Sequence, residues 1–126
     1  MTACLADSID PAFEILSQET PAAAVIFTSP QSGRIYPRSF EEQTRLDFET
    51  LRRSEDSFVD ELFMDVVGAG VPLMRALFPR AFLDLNREPY ELDPRMFEGR
   101  LPSCANTRSS RVSGGLGTIA RVVGDA

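Results

Sequence analysis

A six-residue apolar run, AAAVIF at positions 22–27, lies between Pro21 and the polar sequence TSPQSGRIYP. Such a run is typical of a buried strand in an α/β protein, and it is far too short to span a bilayer. Prolines and a glycine break up residues 30–37, so the sequence predicts a first central strand over 22–28 with a loop at its end. Binding and catalytic side chains often follow such strands, which makes Gln31, in the middle of SPQSG, a candidate site residue.

Composition excludes several classes of function. The chain has 126 residues and a net charge of −6, which argues against a general affinity for nucleic acid or acidic membranes, because both need basic patches. The first twenty residues carry four acids and no Lys or Arg, so the basic start of a secretory leader is missing and a cytoplasmic location is expected. Cys4 and Cys104 form no CxxC pair, which predicts reduced thiols.

The first half of the chain predicts an N-terminal arm followed by strand, loop and helices. The arm covers residues 1–20, in which PAFEIL is expected to lie extended along the body. Residues 39–53 begin with a Ser followed by two Glu residues, a usual helix-start signal, and predict a helix or a pair of helical turns. Apolar residues on one face of 54–70 predict the best helix of the chain, with Ser54 as N-cap.

The second half predicts further strands separated by a long loop. The predicted strands cover residues 71–78, 80–86 and 118–123. Residues 87–113 show little periodicity and predict an irregular excursion with one helical turn near 94–97. The order strand, helix, strand, strand, loop, strand is typical of an α/β sheet.

Two polar segments are expected at the same sheet edge, since both SPQSG and LNRE directly follow predicted central strands. On the second strand Asp84 is expected to be partly buried, and a buried carboxylate needs a cationic or hydrogen-bonding partner. Arg80 and Arg87 are the nearest candidates. The pair is equally consistent with a structural ion pair at the strand end and with a functional site.

Alternative interpretations exist for the other candidates. Glu55 and Asp56 in a first helical turn are explained by the helix dipole alone. Gln31 and Ser32 are explained by turn chemistry, with Gly33 supplying a positive φ. The chain contains no histidine, so Ser32 is not the nucleophile of a Ser-His-Asp triad within it.

Four linked motifs resemble the N-terminal half of the N-formylglutamate amidohydrolase family: SPQSGRIYP, SEDSFVDELF, LFPRAFLDLNREPYELDP and GLGTIARVVGDA. The resemblance implies an α/β fold like that of the zinc-dependent exopeptidases, a three-layer α/β/α sandwich with a mostly parallel central sheet. Residues 1–126 would form a partial domain of this type, with 21–126 as the first half of the sandwich. The implied reaction is metal-assisted hydrolysis of N-formyl-L-glutamate to formate and glutamate.

The resemblance also implies roles for particular residues. Gln31 replaces the histidine of the family motif SPHSG that is expected to bind zinc. Asp56, with Glu55 as the fallback, matches the carboxylate metal ligand, and Asn86 and Arg87 match groups that hold a substrate carboxylate. A second metal histidine and the catalytic carboxylate are expected in the following half of the fold, so no catalytic residue is assigned within this chain.

These assignments lead to three functional hypotheses. The favoured one is an amidohydrolase-like hydrolase represented by a truncated, inactive chain that does not bind zinc tightly. The alternatives are a catalytically dead module that binds a small anionic N-acyl amino acid, and a non-functional gene fragment. A half-fold is also expected to expose strand edges, which favours self-association.

Overall fold

Residues 9–123 are described by a computed structural model, a mixed α/β structure built around a three-stranded sheet. In chain order the elements are β1 (Phe13–Leu16), β2 (Phe27–Ser29), α1 (Arg38–Gln43), α2 (Phe48–Arg52), α3 (Val59–Leu62), α4 (Asp65–Gly68), β3 (Leu73–Ala76), a 3-10 helix (Pro94–Met96) and α5 (Ser110–Ser113). No helix in this part of the chain is long and apolar enough to cross a membrane.

The central strand of the sheet is β3. It pairs antiparallel with β1, where Phe13 lies opposite Ala76, and parallel with β2, where Phe27 lies opposite Leu73. Leu73 is completely buried, consistent with its position between two strands. The sheet is therefore mixed, and its two outer strands have only one neighbour each within residues 9–123. The finer prediction, a three-layer sandwich with a mostly parallel sheet, stays a prediction.

The predicted first strand is shorter than expected. It starts at Phe27 and not at position 22, and Val25 and Ile26 are 56% and 51% exposed. The Phe27 amide donates to the carbonyl of Pro72, directly before β3 begins. Phe27 already pairs with Leu73, the first residue of β3. Residues 22–26 therefore have no residue of β3 opposite them and do not form a strand themselves.

The single long helix predicted over 54–70 was wrong, because the segment forms the two short helices α3 and α4. Phe58, just before α3, has a φ of 65°, which no continuous helix accommodates. Ser54 is not an N-cap; its hydroxyl donates to the Leu51 carbonyl at the end of α2. The buried Asp60 carboxylate lies 2.8 Å from Arg75 of β3, so α3 turns a charged residue toward the sheet and leaves Leu62 exposed.

Two further predicted strands are absent. Residues 80–86 and 118–123 form bends and turns. The Asp84 amide donates to the Thr118 carbonyl, and the Thr118 amide donates to the Glu91 carbonyl. The other backbone bonds of the two segments are local turn bonds, such as those from the Phe82 amide to the Pro79 carbonyl and from the Arg121 amide to the Gly115 carbonyl, so neither segment forms a ladder of strand bonds.

Several other predictions are confirmed. PAFEIL contributes β1, residues 30–37 form a loop, and 39–53 contains the pair α1 and α2. A single 3-10 turn lies within 94–97 as expected, but α5 was missed.

The first helix begins at Arg38 with Pro37 as its N-cap, not at Ser39. Cys104 is a free, exposed thiol, whereas Cys4 lies outside the described residues.

Candidate functional site

The SPQSG loop is held firmly at the carboxyl end of β2. Ser29, Gln31 and Ser32 are all buried, and the Ser29 and Ser32 hydroxyls lie 2.7 Å apart. Gly33 packs against the chain after β3, where an added Cβ would lie 2.1 Å from the Phe78 carbonyl oxygen. Its φ is not in the positive range, so the predicted role of Gly33 in a positive-φ turn was wrong. Close backbone approach explains the glycine.

Gln31 connects this loop to the second polar segment. Its Nε2 donates a 2.7 Å hydrogen bond to Oδ1 of Asp84, and both side chains are buried. The two segments predicted to share an edge therefore meet. Because Nε2 is directed at Asp84, the amide oxygen is the atom of Gln31 that could accept a hydrogen bond or bind a cation.

Asp84 is the central residue of a polar cluster that it forms with Gln31, Arg80 and Arg87. Its carboxylate is 3% exposed and accepts hydrogen bonds from Gln31, from Nε of Arg80 at 3.0 Å and from the backbone amide of Asn86 at 3.0 Å. Nη2 of Arg87 lies 3.2 Å from Oδ2. Both arginines named as candidate partners thus pair with Asp84, and the buried charge is fully compensated.

Arg87 has little capacity for a further ligand. Its Nε donates to the Leu116 carbonyl at 2.8 Å, its Nη1 donates to the Asn86 carbonyl at 2.6 Å, and its side chain is 10% exposed. Asn86 is exposed and lines a separate cavity of about 260 Å³ on the sheet face, together with Thr28 and Met74. The structure therefore does not bring Asn86 and Arg87 into one cavity, and their substrate-binding roles stay predictions.

A larger cavity, of about 450 Å³, lies beside Asp84. Its polar lining comes from Arg53, Ser54, Arg80 and Asp84, and its remaining wall comes from residues within 116–122. Sequence reasoning named Arg80 only as a partner of Asp84 and missed Arg53. No local signal marks these two arginines as neighbours, because the cavity exists only where residues 116–122 fold back over them.

The two acids of the second motif lie in different environments. The Asp56 backbone amide donates to the Gln31 carbonyl at 3.0 Å, which places Asp56 next to the SPQSG loop, with its side chain exposed. The Glu55 side chain is fully buried and accepts from the Tyr36 hydroxyl at 2.5 Å and from Nε of Arg52 at 3.2 Å. Burial and the Glu55 carboxylate raise the pKa of Tyr36. Glu55 is therefore committed to structural bonds, and Asp56 is the more available acid.

These residues do not fit the zinc that the resemblance implies. Within residues 9–123 no group of three or more His, Cys, Asp or Glu side chains is placed to hold a metal, and the sequence contains no histidine. Gln31 offers an amide oxygen in place of the imidazole nitrogen that zinc prefers. Asp56 alone leaves the donor set short of the three protein ligands of a catalytic zinc site.

The mixed sheet and the buried residues around Asp84 define an α/β domain with a polar cluster near the end of a parallel strand pair. The profile of the N-formylglutamate amidohydrolase family matches residues 23–126. The crystal structure of N-formylglutamate amidohydrolase from Ralstonia eutropha JMP134 is similar, with a TM-score of 0.78 and 33% identity over 86% of this chain. The chain belongs to the N-formylglutamate amidohydrolase family.

The likeness covers only part of the related structure. This chain spans 38% of the length of the Ralstonia protein. No curated protein matches the sequence. Family membership and a mixed α/β structure are therefore established for the chain.

Proposed function

We propose that these residues bind a small anionic N-acyl amino acid, such as N-formyl-L-glutamate, in the cavity beside Asp84, and do not hydrolyse it by themselves. The observation that carries the proposal is the buried hydrogen bond from Gln31 to Asp84. This hydrogen bond connects the SPQSG loop to Asp84. The residue that makes it is a glutamine, at the position where the family resemblance implies a metal-binding histidine.

The ligand class follows from the family and from the chemistry of the cavity. A volume of about 450 Å³ lies within the usual range for small-molecule sites. Arginine grips carboxylates through two parallel hydrogen bonds, and Arg53 and Arg80 both line this cavity. An N-acylated acidic amino acid supplies two carboxylates for such groups, whereas nucleic acid would require a more extended basic surface.

The described groups do not supply a complete machinery for hydrolysis. The Ser32 hydroxyl is hydrogen-bonded to the Ser29 hydroxyl. A serine needs a neighbouring base to act as a nucleophile, and another serine hydroxyl is not such a base. The amide of Gln31 does not titrate and therefore does not act as a general base. We propose that zinc is not bound tightly by these 126 residues, and that hydrolysis in the family needs nitrogen ligands from the remainder of a three-layer sandwich.

The hydrogen-bonded cluster around Asp84 argues against a non-functional gene fragment. Asp84 is buried with every neighbouring donor matched, and a buried charge that loses its partners is strongly destabilising. Binding with turnover lost is the function that agrees with both the intact cluster and Gln31. A cytoplasmic location and self-association through exposed strand edges remain predictions.

Calorimetric titration with N-formyl-L-glutamate, combined with an assay for released formate, tests this proposal. We expect saturable binding in the micromolar to millimolar range, about −8 to −4 kcal/mol, and no formate above the protein-free control. N-formyl-L-leucine, which lacks the side-chain carboxylate, serves as the matched ligand and should bind more weakly. Formate release by the unmodified chain, or equal affinity for the two ligands, would overturn the proposal.

A further inference from the structure

We infer that Arg53 and Arg80 form the anion-binding pair of the cavity beside Asp84, and that Arg87 is a positioning residue that holds Asp84 without touching the ligand. This inference rests on the proposed function for the identity of the ligand. It departs from the sequence-based expectation, which gave the carboxylate-binding role to Arg87 and Asn86.

Arg80 and Arg87 differ in the hydrogen-bond donors that they leave for a ligand. Nε, Nη1 and Nη2 of Arg87 all contact protein atoms, namely the Leu116 carbonyl, the Asn86 carbonyl and the Asp84 carboxylate. Arg80 uses only Nε for Asp84, and its side chain is 26% exposed. Its terminal nitrogens therefore remain for a ligand. Arg53 is exposed and forms no ion pair with any residue in the range 9–123.

The charged side chains of the cavity favour an anionic ligand. Asp84 is the acid in its lining, and its carboxylate already pairs with both Arg80 and Arg87. Arg53 also lines the cavity, so the charged groups of the lining are two guanidinium groups and one carboxylate. The lining therefore carries a net positive charge. A carboxylate that enters there gains attraction without displacing an existing ion pair.

The two arginines are held in place by different contacts. Arg53 is the C-cap residue of α2, and its amide is fixed by a hydrogen bond to the Thr50 carbonyl. Arg80 follows the buried Pro79 and is oriented by its bond to Asp84. Arg53 is thus the more exposed of the two, whereas Arg80 is 26% exposed and oriented by Asp84. Two separate guanidinium groups on one cavity match a ligand that carries two carboxylates.

Four arginine variants test the inference by calorimetry with glutarate and with N-formyl-L-glutamate, alongside thermal denaturation. We expect Arg53→Gln to raise Kd about ten- to a hundredfold with little change in Tm, because charge-assisted hydrogen bonds are lost from an exposed position. Arg80→Lys should raise Kd similarly while it keeps a cation near Asp84. Arg87→Gln should lower Tm but leave Kd within about threefold, measured below the transition.

Arg45→Gln is the matched control, because Arg45 is also exposed, forms no ion pair within the described residues and lines a different cavity. It should change neither Kd nor Tm. If Arg87→Gln abolishes binding while Arg53→Gln does not, the inference fails and the proposed function stands. If glutarate binds through Arg53 but N-formyl-L-glutamate does not bind, the proposed function fails and the anion site stands. Absence of binding by both ligands overturns both.

Discussion

The Asp84→Asn variant should lose roughly 3–5 kcal/mol of stability, because removing one partner of a buried ion pair leaves the other charges uncompensated. Asp84 is 3% exposed and accepts from Gln31, Arg80 and the Asn86 amide. An asparagine of nearly the same shape would place an NH₂ group against some of these donors. For a chain of this size the loss corresponds to a fall in Tm of roughly 10–20 °C.

Glu42→Gln is a close control for this variant. Arg38 and Glu42 form an ion pair with the same four-residue spacing as Arg80 and Asp84, and with a similar nitrogen–oxygen distance, 2.8 Å against 3.0 Å. The Glu42 side chain is 63% exposed, so its loss should cost at most about 1 kcal/mol. Thermal denaturation of both variants measures the difference. Similar small shifts for the two would mean that the Asp84 cluster does not hold the site together.

The second large effect is expected for Gly33→Ala. An added Cβ would lie 2.1 Å from the Phe78 carbonyl oxygen and 2.5 Å from the Leu77 carbonyl carbon. Both are backbone atoms directly after β3, so the clash is not relieved by rotating a side chain. We expect a loss of about 2–3 kcal/mol. Because the SPQSG loop must move away, the hydrogen bond from Gln31 to Asp84 should break as well.

Gly68→Ala serves as the control for Gly33→Ala. Gly68 is the last residue of α4, and an added Cβ there meets no atom within 4 Å. Replacing a helical glycine by alanine usually stabilises by about 0.5–1 kcal/mol, so Tm should rise slightly. Denaturant unfolding gives the free energies of both variants. A Gly33→Ala variant as stable as the unmodified chain would show that the loop is not packed against the chain after β3.

Local sequence signals predicted the parts of the fold in which neighbouring residues determine the structure. The loop after β2 follows from its prolines and glycine, and the helical turn near 94–97 follows from Pro94 and the Asp93 side chain, which accepts from the Arg95 amide. The ion partners of Asp84 were predictable as well, because Arg80 and Arg87 lie four and three residues away. In each of these cases the deciding contact spans only a few residues.

The failures involve contacts between distant parts of the chain. The apolar pattern of 54–70 suggested a long helix, but the ion pair from Arg75 to Asp60 turns α3 toward the sheet. The sequence of residues 80–86 predicted a strand, but the segment forms bends and turns. Within it, Asp84 is hydrogen-bonded to Gln31, which lies 53 residues earlier in the sequence. The cavity lined by Arg53 and Arg80 depends on residues 116–122. No periodicity in the sequence encodes such pairings.

We propose that Gln31 stands at the position of a metal ligand and bonds to Asp84 instead of a metal. Zinc titration by calorimetry at neutral pH tests it directly, on the unmodified chain, on Gln31→His and on Gln31→His combined with Asp56→Ala. An imidazole at position 31 would be able to donate one N–H to Asp84, as Gln31 does, and present its other nitrogen to a metal.

We expect the unmodified chain to bind zinc weakly or not at all. The Gln31→His variant should bind more tightly, because one nitrogen and the Asp56 carboxylate then act together, and adding Asp56→Ala should remove that gain. No formate should be released from N-formyl-L-glutamate by any of the three, since two protein ligands fall short of a catalytic site. Tight zinc binding by the unmodified chain, or a Gln31→His variant unaffected by the loss of Asp56, would contradict the account.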